Sequence, residues 1–479
     1  MEHPVPVELD TSSLQHVFSF LSANDIVLAI KLLNKTFYQY ANMLLENKAA
    51  QVTASDAVPS WALPSLRVTS LTYKLKKQLM SLAAKGGHLQ TLRWAREQGC
   101  PWDCSVSEAA AEGGHLAVLQ WLRQEGCPWG PGTCEAAARG GHLEVLQWAF
   151  QNGCPSSEDV CSQAAESGRL ELLQCARSNG CPWDECTCAA AAGSGNLPML
   201  QWARDNGCPW DEATCEEAAE NGHMGVLQWA RKQGCPWGAR TCSAAAKGGH
   251  LELLQWARRN KCPWNSGTCK AAAEGGHLAV LQWAKSNGCP CNEDACSGAA
   301  SGGHLDILKW LRAQDCPWDP STCSYAVIWD HLEILQWARA NGCPWDSSSC
   351  NYAALNGDLE LLQRLRREGC PWDSSTCEVA ACHPLPLLQW ARENGCEWDA
   401  RTCGAAAEEG RLDVLQWARE NGCPWDAETC TRAAEAGRFE VLQWAREQGC
   451  PLDAKDACQW AADSGHTEIV QWLKEQEGC

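Results

Sequence analysis

HLEVLQWAFQNGCP, residues His142–Pro155, returns along the chain with small edits. Twenty-seven residues earlier His115 opens HLAVLQWLRQEGCP; further on His250 opens HLELLQWARRNKCP and His277 opens HLAVLQWAKSNGCP. A cysteine column runs from Cys100 to Cys370 at a strict spacing of 27 and continues at Cys396, Cys423 and Cys450 after a one-residue deletion. A period of this length marks a supersecondary unit that cannot bury its apolar face alone and is completed by the next copy.

The unit Cys208–Gly234, CPWDEATCEEAAENGHMGVLQWARKQG, shows how each copy folds. Asp211 holds the position occupied elsewhere by Asp103, Gly130, Ser157, Asp184, Gly238, Asn265, Asn292, Asp319, Asp346, Asp373, Asp399, Asp426 and Asp453, all residue types that favour a helix N-cap. The spacing predicts a first helix over 212–220 with alanines on its close-packing side, ended by Asn221-Gly222. A second helix from His223 carries Val226, Leu227, Trp229 and Ala230 as an apolar stripe. Gly234 stops it, and Cys-Pro-Trp returns the chain to the next cap. The two tryptophan columns, such as Trp229 and Trp237, are read as seams between units, each ring burying roughly 150–250 Å².

Thirty-three cysteines in a small secreted protein would signal a disulfide framework. Here members of one column lie in neighbouring repeats, and packed helices about 8–10 Å apart exceed the reach of a disulfide. The thiols are expected to be reduced and buried. The net charge is −19, and residues 1–80 carry seven Lys or Arg against six Asp or Glu, so the repeats hold the acidity. Such a surface repels phosphate, which argues against nucleic acid and anionic membrane as partners. The start MEHPVPVELD lacks the basic and apolar regions of a signal peptide, and IVLAIKLL is too short to span a bilayer. A soluble intracellular protein is expected, cytoplasmic or nuclear.

TCEAAARGGHLEVLQWA from Thr133 resembles the ankyrin repeat, in which a Thr-led helix ends in Ala-Ala and Gly-His-Leu-Glu-Val opens the second. The period of 27 is shorter than the usual ankyrin length of about 33, and the shortfall falls where ankyrins place a β-hairpin finger. The resemblance implies a shortened, pseudo-ankyrin array that binds through its helical faces.

Residues 7–40 fall outside the repeat. Leu14, Val17, Phe18 and Leu21 lie on one predicted helix, Ile26, Leu28, Ile30 and Leu32 on a second, and Asn34-Lys35-Thr36-Phe37 leads into a third. Three short helices make too small a core to stand alone. Phe18-Ser19-Phe20-Leu21, Asp25-Ile26 and Asn34-Lys35-Thr36-Phe37 resemble an F-box, although the usual opening Leu-Pro-x-Glu is replaced by Asp10-Thr11-Ser12-Ser13. That resemblance implies docking to a Skp-type adaptor through Leu14, Val17, Phe18, Leu21 and Ile26. The alternative is an N-terminal cap that shields the first repeat. Residues 45–72, with VPSWALPS, read as a linker; Lys74, Lys76 and Lys77 beyond it read as a solvated face.

No enzyme emerges. His88, His115, His142, His223, His250, His277 and His304 share one turn position, which points to structure rather than catalysis. Cys181, Cys186 and Cys188, and Cys289 with Cys291, lack the paired spacing of zinc sites, so neither metal nor cofactor is expected. No glycine-rich phosphate loop follows a strand. A basic column, Arg96, Arg123, Arg177 and onward to Arg446, reads as neutralisation of acidic neighbours such as Glu397 and Asp399, with an acidic-ligand site as the alternative.

Departures from the repeat point elsewhere. Tyr325, Trp329, Tyr352 and Arg364 fall within two consecutive units, and Tyr, Trp and Arg are the usual anchors of protein interfaces. The expected organisation is all-α: an F-box-like helical unit over 1–44, a linker over 45–72, and a solenoid of about fifteen ankyrin-like helical hairpins over 73–479. The expected role is substrate recognition in an SCF-type ubiquitin ligase, with a protein target on the repeats. The alternative is a scaffold whose N-terminus is only a cap.

Overall fold

The computed structural model describes residues 73–477. Leu14, Val17, Phe18, Leu21 and Ile26, expected from the resemblance to dock an adaptor, and the expected linker over 45–72 lie outside them. Among the described residues there are thirty helices and no strand, from Tyr73–Lys85 to Thr467–Glu477. They alternate as first and second helices of hairpins, and no finger is inserted between them.

The predicted unit is reproduced closely. The first helix spans Glu212–Glu220, with Asp211 in an extended conformation and its carboxylate accepting from the Ala213 amide at 2.9 Å. Met224–Lys232 is the second helix, preceded by His223, and Gly222 and Gly234 supply the left-handed turns at φ 76° and 87°. The same side-chain cap is made by Asp103, Asp184, Asn265, Asp319, Asp346, Asp373, Asp399, Asp426 and Asp453.

One predicted cap, Ser157, is displaced, and another, Asn292, keeps its N-cap position without the side-chain bond. Ser157 donates to Glu135 Oε1 at 2.6 Å, and the helix begins later, at Asp159 after Glu158. This loop has Ser156 where others have tryptophan, so the ring that fixes the turn elsewhere is missing. Asn292 aims its amide nitrogen at Asp294 Oδ2, 2.9 Å away, instead of capping the helix amides.

The Gly-Gly-His turn has a steric cause. A Cβ on Gly113 would collide with the Lys85 carbonyl oxygen of the preceding hairpin, while Gly114 has φ 75° and lies against the His142 ring. That ring crosses to the neighbour: His142 Nε2 donates to the Glu112 carbonyl at 3.0 Å, satisfying a carbonyl left open at a helix C-terminus. His115, His223 and His331 do the same to Lys85, Gly193 and Ser301. In three places where histidine is replaced, another donor takes over: Arg169 reaches Gly141, Asn196 reaches Gly168 and Arg438 reaches Glu408.

The chain divides into two compact units, Met1–Thr241 and Cys242–Cys479. In the described part of the first, first helices pack closely on one another, Cys104–Glu112 on Pro131–Arg139 and Glu185–Gly193 on Glu212–Glu220. In the second, Ser266–Glu274 packs on Glu293–Ser301 and Ala400–Glu408 on Ala427–Glu435. In each, second helices form a looser layer on the other side. Small residues set this asymmetry: Ala218, Ala219, Ala272, Ala273, Ala406 and Ala407 are fully buried between first helices. Leucines such as Leu119, Leu227, Leu281 and Leu415 fill the space between the layers.

Candidate functional site

The basic column serves the fold. Arg204 stands with its guanidinium carbon 4.1 Å from the Trp210 ring centroid, and its Nη1 donates to the Cys208 carbonyl. Trp210 in turn meets Trp229 edge to face, centroids 5.9 Å apart at 67°. Arg366, Trp372 and Trp390 repeat the arrangement in the second unit, at 4.0 Å and 5.8 Å. The result, where all three residues are present, is a triad of arginine, loop tryptophan and helix tryptophan that ties the loop to the helices before and after it. The expected carboxylate neutralisation is corrected here: Arg392 lies over Trp398 and donates to the Cys396 carbonyl at 2.9 Å, while Asp399 pairs with Arg401 at 2.8 Å. A stacked indole and a nearby carbonyl take the guanidinium in place of a carboxylate. Lys77, read from sequence as part of a solvated face, pairs with Asp103.

The sequence carried a signal for this triad that spacing alone did not reveal. In two places its members depart together. Phe150, Ser156 and Cys175 replace all three in one place, and Lys285 and Cys291 replace the first two in another. Lys285 there turns to the helix, with Nζ 5.8 Å from the Trp310 centroid and a hydrogen bond to the Gln314 carbonyl.

The cysteines hydrogen-bond as well as fill space. Cys208 Sγ donates to the Asp184 carbonyl at 3.3 Å, and Cys188 Sγ to the Cys208 carbonyl at 4.0 Å. Every described cysteine is a free thiol, and both columns are buried. Burial pushes the Cys161 thiol up to about 12. Among the described residues no group of three or more His, Cys, Asp or Glu is arranged to hold a metal ion. None of their helices is long and apolar enough to cross a membrane.

The four predicted interface residues separate into two places. Tyr325 lies half-buried on the first helix Pro320–Ile328, and Tyr352 holds the equivalent place on the adjoining first helix Ser347–Leu355. Trp329 follows the former helix and is 59% exposed; Leu355 ends the latter and is 54% exposed. Asp330, after Trp329, takes the left-handed φ of 57° that glycine holds in other turns. Leu355 was not among the expected interface residues, although most other units close this helix with a small or polar residue, Ile328 being the exception next to it. Arg364 belongs to the other layer: it stands where a helix tryptophan stands elsewhere, on Leu359–Arg367, and pairs with Glu368 at 3.0 Å. With the Gln336 amide turned to accept, its Nη2 also donates there at 2.9 Å. The tryptophan face of the second unit also carries an open groove of about 440 Å³, lined by Gln255, Arg258, Arg259, Trp264, Trp283 and Asn287.

No family model matches the chain. No curated protein matches it. Among solved structures, the ankyrin repeat domain of human ASB11 is similar, with a TM-score of 0.27 and 16% identity, over 33% of this chain and 84% of that one.

Proposed function

We propose that this chain is a protein-binding repeat array without bond chemistry of its own, and that it recruits a target protein for ubiquitin transfer. One observation carries the binding role. Trp329 and Leu355 present large apolar side chains to solvent at the ends of successive first helices, beside Tyr325 and Tyr352. The repeat tryptophans that build the fold are instead at least half-buried in their triads. An exposed indole with neighbouring tyrosines has the composition of an interface hot spot. Arg364, in the other layer, is a secondary contact for the same target.

The ubiquitin role rests on the F-box-like residues of 1–44. Leu14, Val17, Phe18, Leu21 and Ile26 would hold a Skp-type adaptor, and the repeats would hold the target nearby, so that transfer gains from effective concentration. Nucleic acid and membrane are not partners in this account, and the protein works in the cytoplasm or nucleus. The experiment compares the full chain with the paired changes Tyr325→Ala and Trp329→Ala in crosslinking to endogenous proteins. A Trp460→Ala chain serves as control, because Trp460 is also exposed but lies apart from the proposed surface. Loss of the same crosslinked species in the double variant alone supports the reading. Equal crosslinking by all three chains sinks it.

A further inference from the structure

We propose that Cys291 and Cys316 form an oxidation site, at which a hydroperoxide converts two free thiols into a disulfide. Their sulfur atoms stand 3.2 Å apart, although the residues are 25 apart in sequence. A disulfide bond is about 2.05 Å long, so closure asks for roughly 1 Å of movement in a loop and a side chain.

The site exists because the triad is broken. Cys291 takes the loop position that tryptophan fills in most units, and Lys285 takes the arginine position. Without the indole, the thiol beneath is reached from solvent through Cys291. Cys291 is half-buried, whereas Cys316 is 2% and Cys289 5% exposed. Where the triad is intact the paired thiols are closed off: Cys188, Cys208, Cys377 and Cys396 are all 0% exposed, whereas Cys154, in the loop where Ser156 replaces the ring, is 7% exposed. Among the described residues other accessible cysteines exist, such as Cys104 and Cys186, and burial leads the causes that push both of their thiols up. Cys291 is shifted the other way. Hydrogen bonds from the Cys269 and Cys316 thiols favour its thiolate, and the Lys285 charge adds to them. The thiolate is the form that attacks peroxide.

The chemistry balances with hydrogen peroxide as the oxidant. The Cys291 thiolate attacks one peroxide oxygen, the O–O bond breaks, and the leaving oxygen departs as water after taking up a proton. Cys291 is then a sulfenic acid. The Cys316 sulfur attacks it, the S–S bond forms, the S–O bond breaks, and the hydroxyl leaves as water with the Cys316 proton. Two thiols and one peroxide give one disulfide and two waters. Cys316 is the resolving thiol, already in contact and already buried. The bond would fasten the loop before one hairpin to the loop before the next.

The test treats the full chain with a small excess of hydrogen peroxide, blocks remaining thiols, and maps peptides without reduction. The expected first product joins the Cys291 and Cys316 peptides and is reversed by dithiothreitol. Cys291 should react roughly tenfold or more faster than sealed thiols such as Cys208 and Cys343. In Cys316→Ser, Cys291 should accumulate as a sulfenic acid that dimedone traps. Cys291→Trp restores the ring of the common repeat and should remove the fast phase, which keeps the test sound if the serine variant folds poorly. A first disulfide between any other pair, including Cys269 with Cys291, overturns the proposal. So does a sulfinic acid at Cys291 with Cys316 still reduced, or no fast oxidation at all.

Discussion

The Arg339 guanidinium carbon stands 3.8 Å from the centroid of the Trp345 ring, and its Nη1 donates to the Cys343 carbonyl between them in sequence. In this unit Arg364 occupies the place of the second tryptophan, so the arginine–tryptophan contact can be measured free of the edge-to-face pair. Replacing Arg339 by Ala should cost about 1–2 kcal/mol of local stability, from the cation–π contact and the hydrogen bond together. Arg339→Lys should recover only part, because an ammonium lacks the planar fork. Native-state amide exchange over 343–355 reads the change. A double-mutant cycle with Trp345→Leu should show coupling, and additive losses would contradict the stacked geometry.

The caps give a second prediction. Asp211→Ala removes the acceptor of the Ala213 amide and should cost about 1 kcal/mol, whereas Asp211→Asn should cost only a few tenths. The effect should be read in exchange of the amides of 212–215. A repeat array need not unfold in two states, so a local probe is preferable to a single melting midpoint.

Acid should loosen particular caps. Hydrogen bonding from Arg401 leads the causes that hold the Asp399 carboxyl below its ordinary value, and hydrogen bonding from Ser347 leads for Asp373. A carboxylate with a depressed folded pKa contributes stability that is fully present above its unfolded value of about 3.9 and is lost as pH falls through the folded value. The first turns over 400–403 and 374–377 should therefore keep their protection down to about pH 4 and lose it progressively below. Arg401→Gln should move the Asp399 titration upward, measured by carboxyl NMR shifts. Asp373 is exposed and Asp399 partly so, so salt should weaken the effect.

The turn glycines differ in a way that sequence alone does not show. Gly99 and Gly114 both have φ 75°, but a Cβ on Gly99 meets nothing within 4 Å, whereas one on Gly114 meets the His142 ring. Gly99→Ala should cost about 1 kcal/mol of backbone strain, and Gly114→Ala clearly more. Adding His142→Ala to Gly114→Ala should relieve part of the excess. Equal costs for the two alanines would show that the ring contact is unimportant.

Much of the architecture could be read from the chain because each boundary is written in residue chemistry. Asp211, Asn221-Gly222 and Gly234 mark the ends of helices, and the structure puts helix ends there. Ser157 misled because N-cap preference is local, while that loop lost a ring contributed by its own neighbours. The triads were hidden for a related reason. Arg204, Trp210 and Trp229 are separated by unequal steps, and only three-dimensional stacking makes them one object. The joint change at Phe150, Ser156 and Cys175 was the available clue. Tyr325, Trp329, Tyr352 and Arg364 all depart from the repeat, but periodicity gives no face: the first three lie on or at the end of first helices and Arg364 lies on a second helix.

The most direct measurement is binding of purified Skp-type adaptor to the full chain by calorimetry, with a matched chain carrying Leu14→Asp and Phe18→Asp. The account predicts stoichiometric binding by the original and none by the variant, with equal helicity in far-ultraviolet circular dichroism. Absence of binding by the original chain, or equal binding by both, would contradict the ligase role.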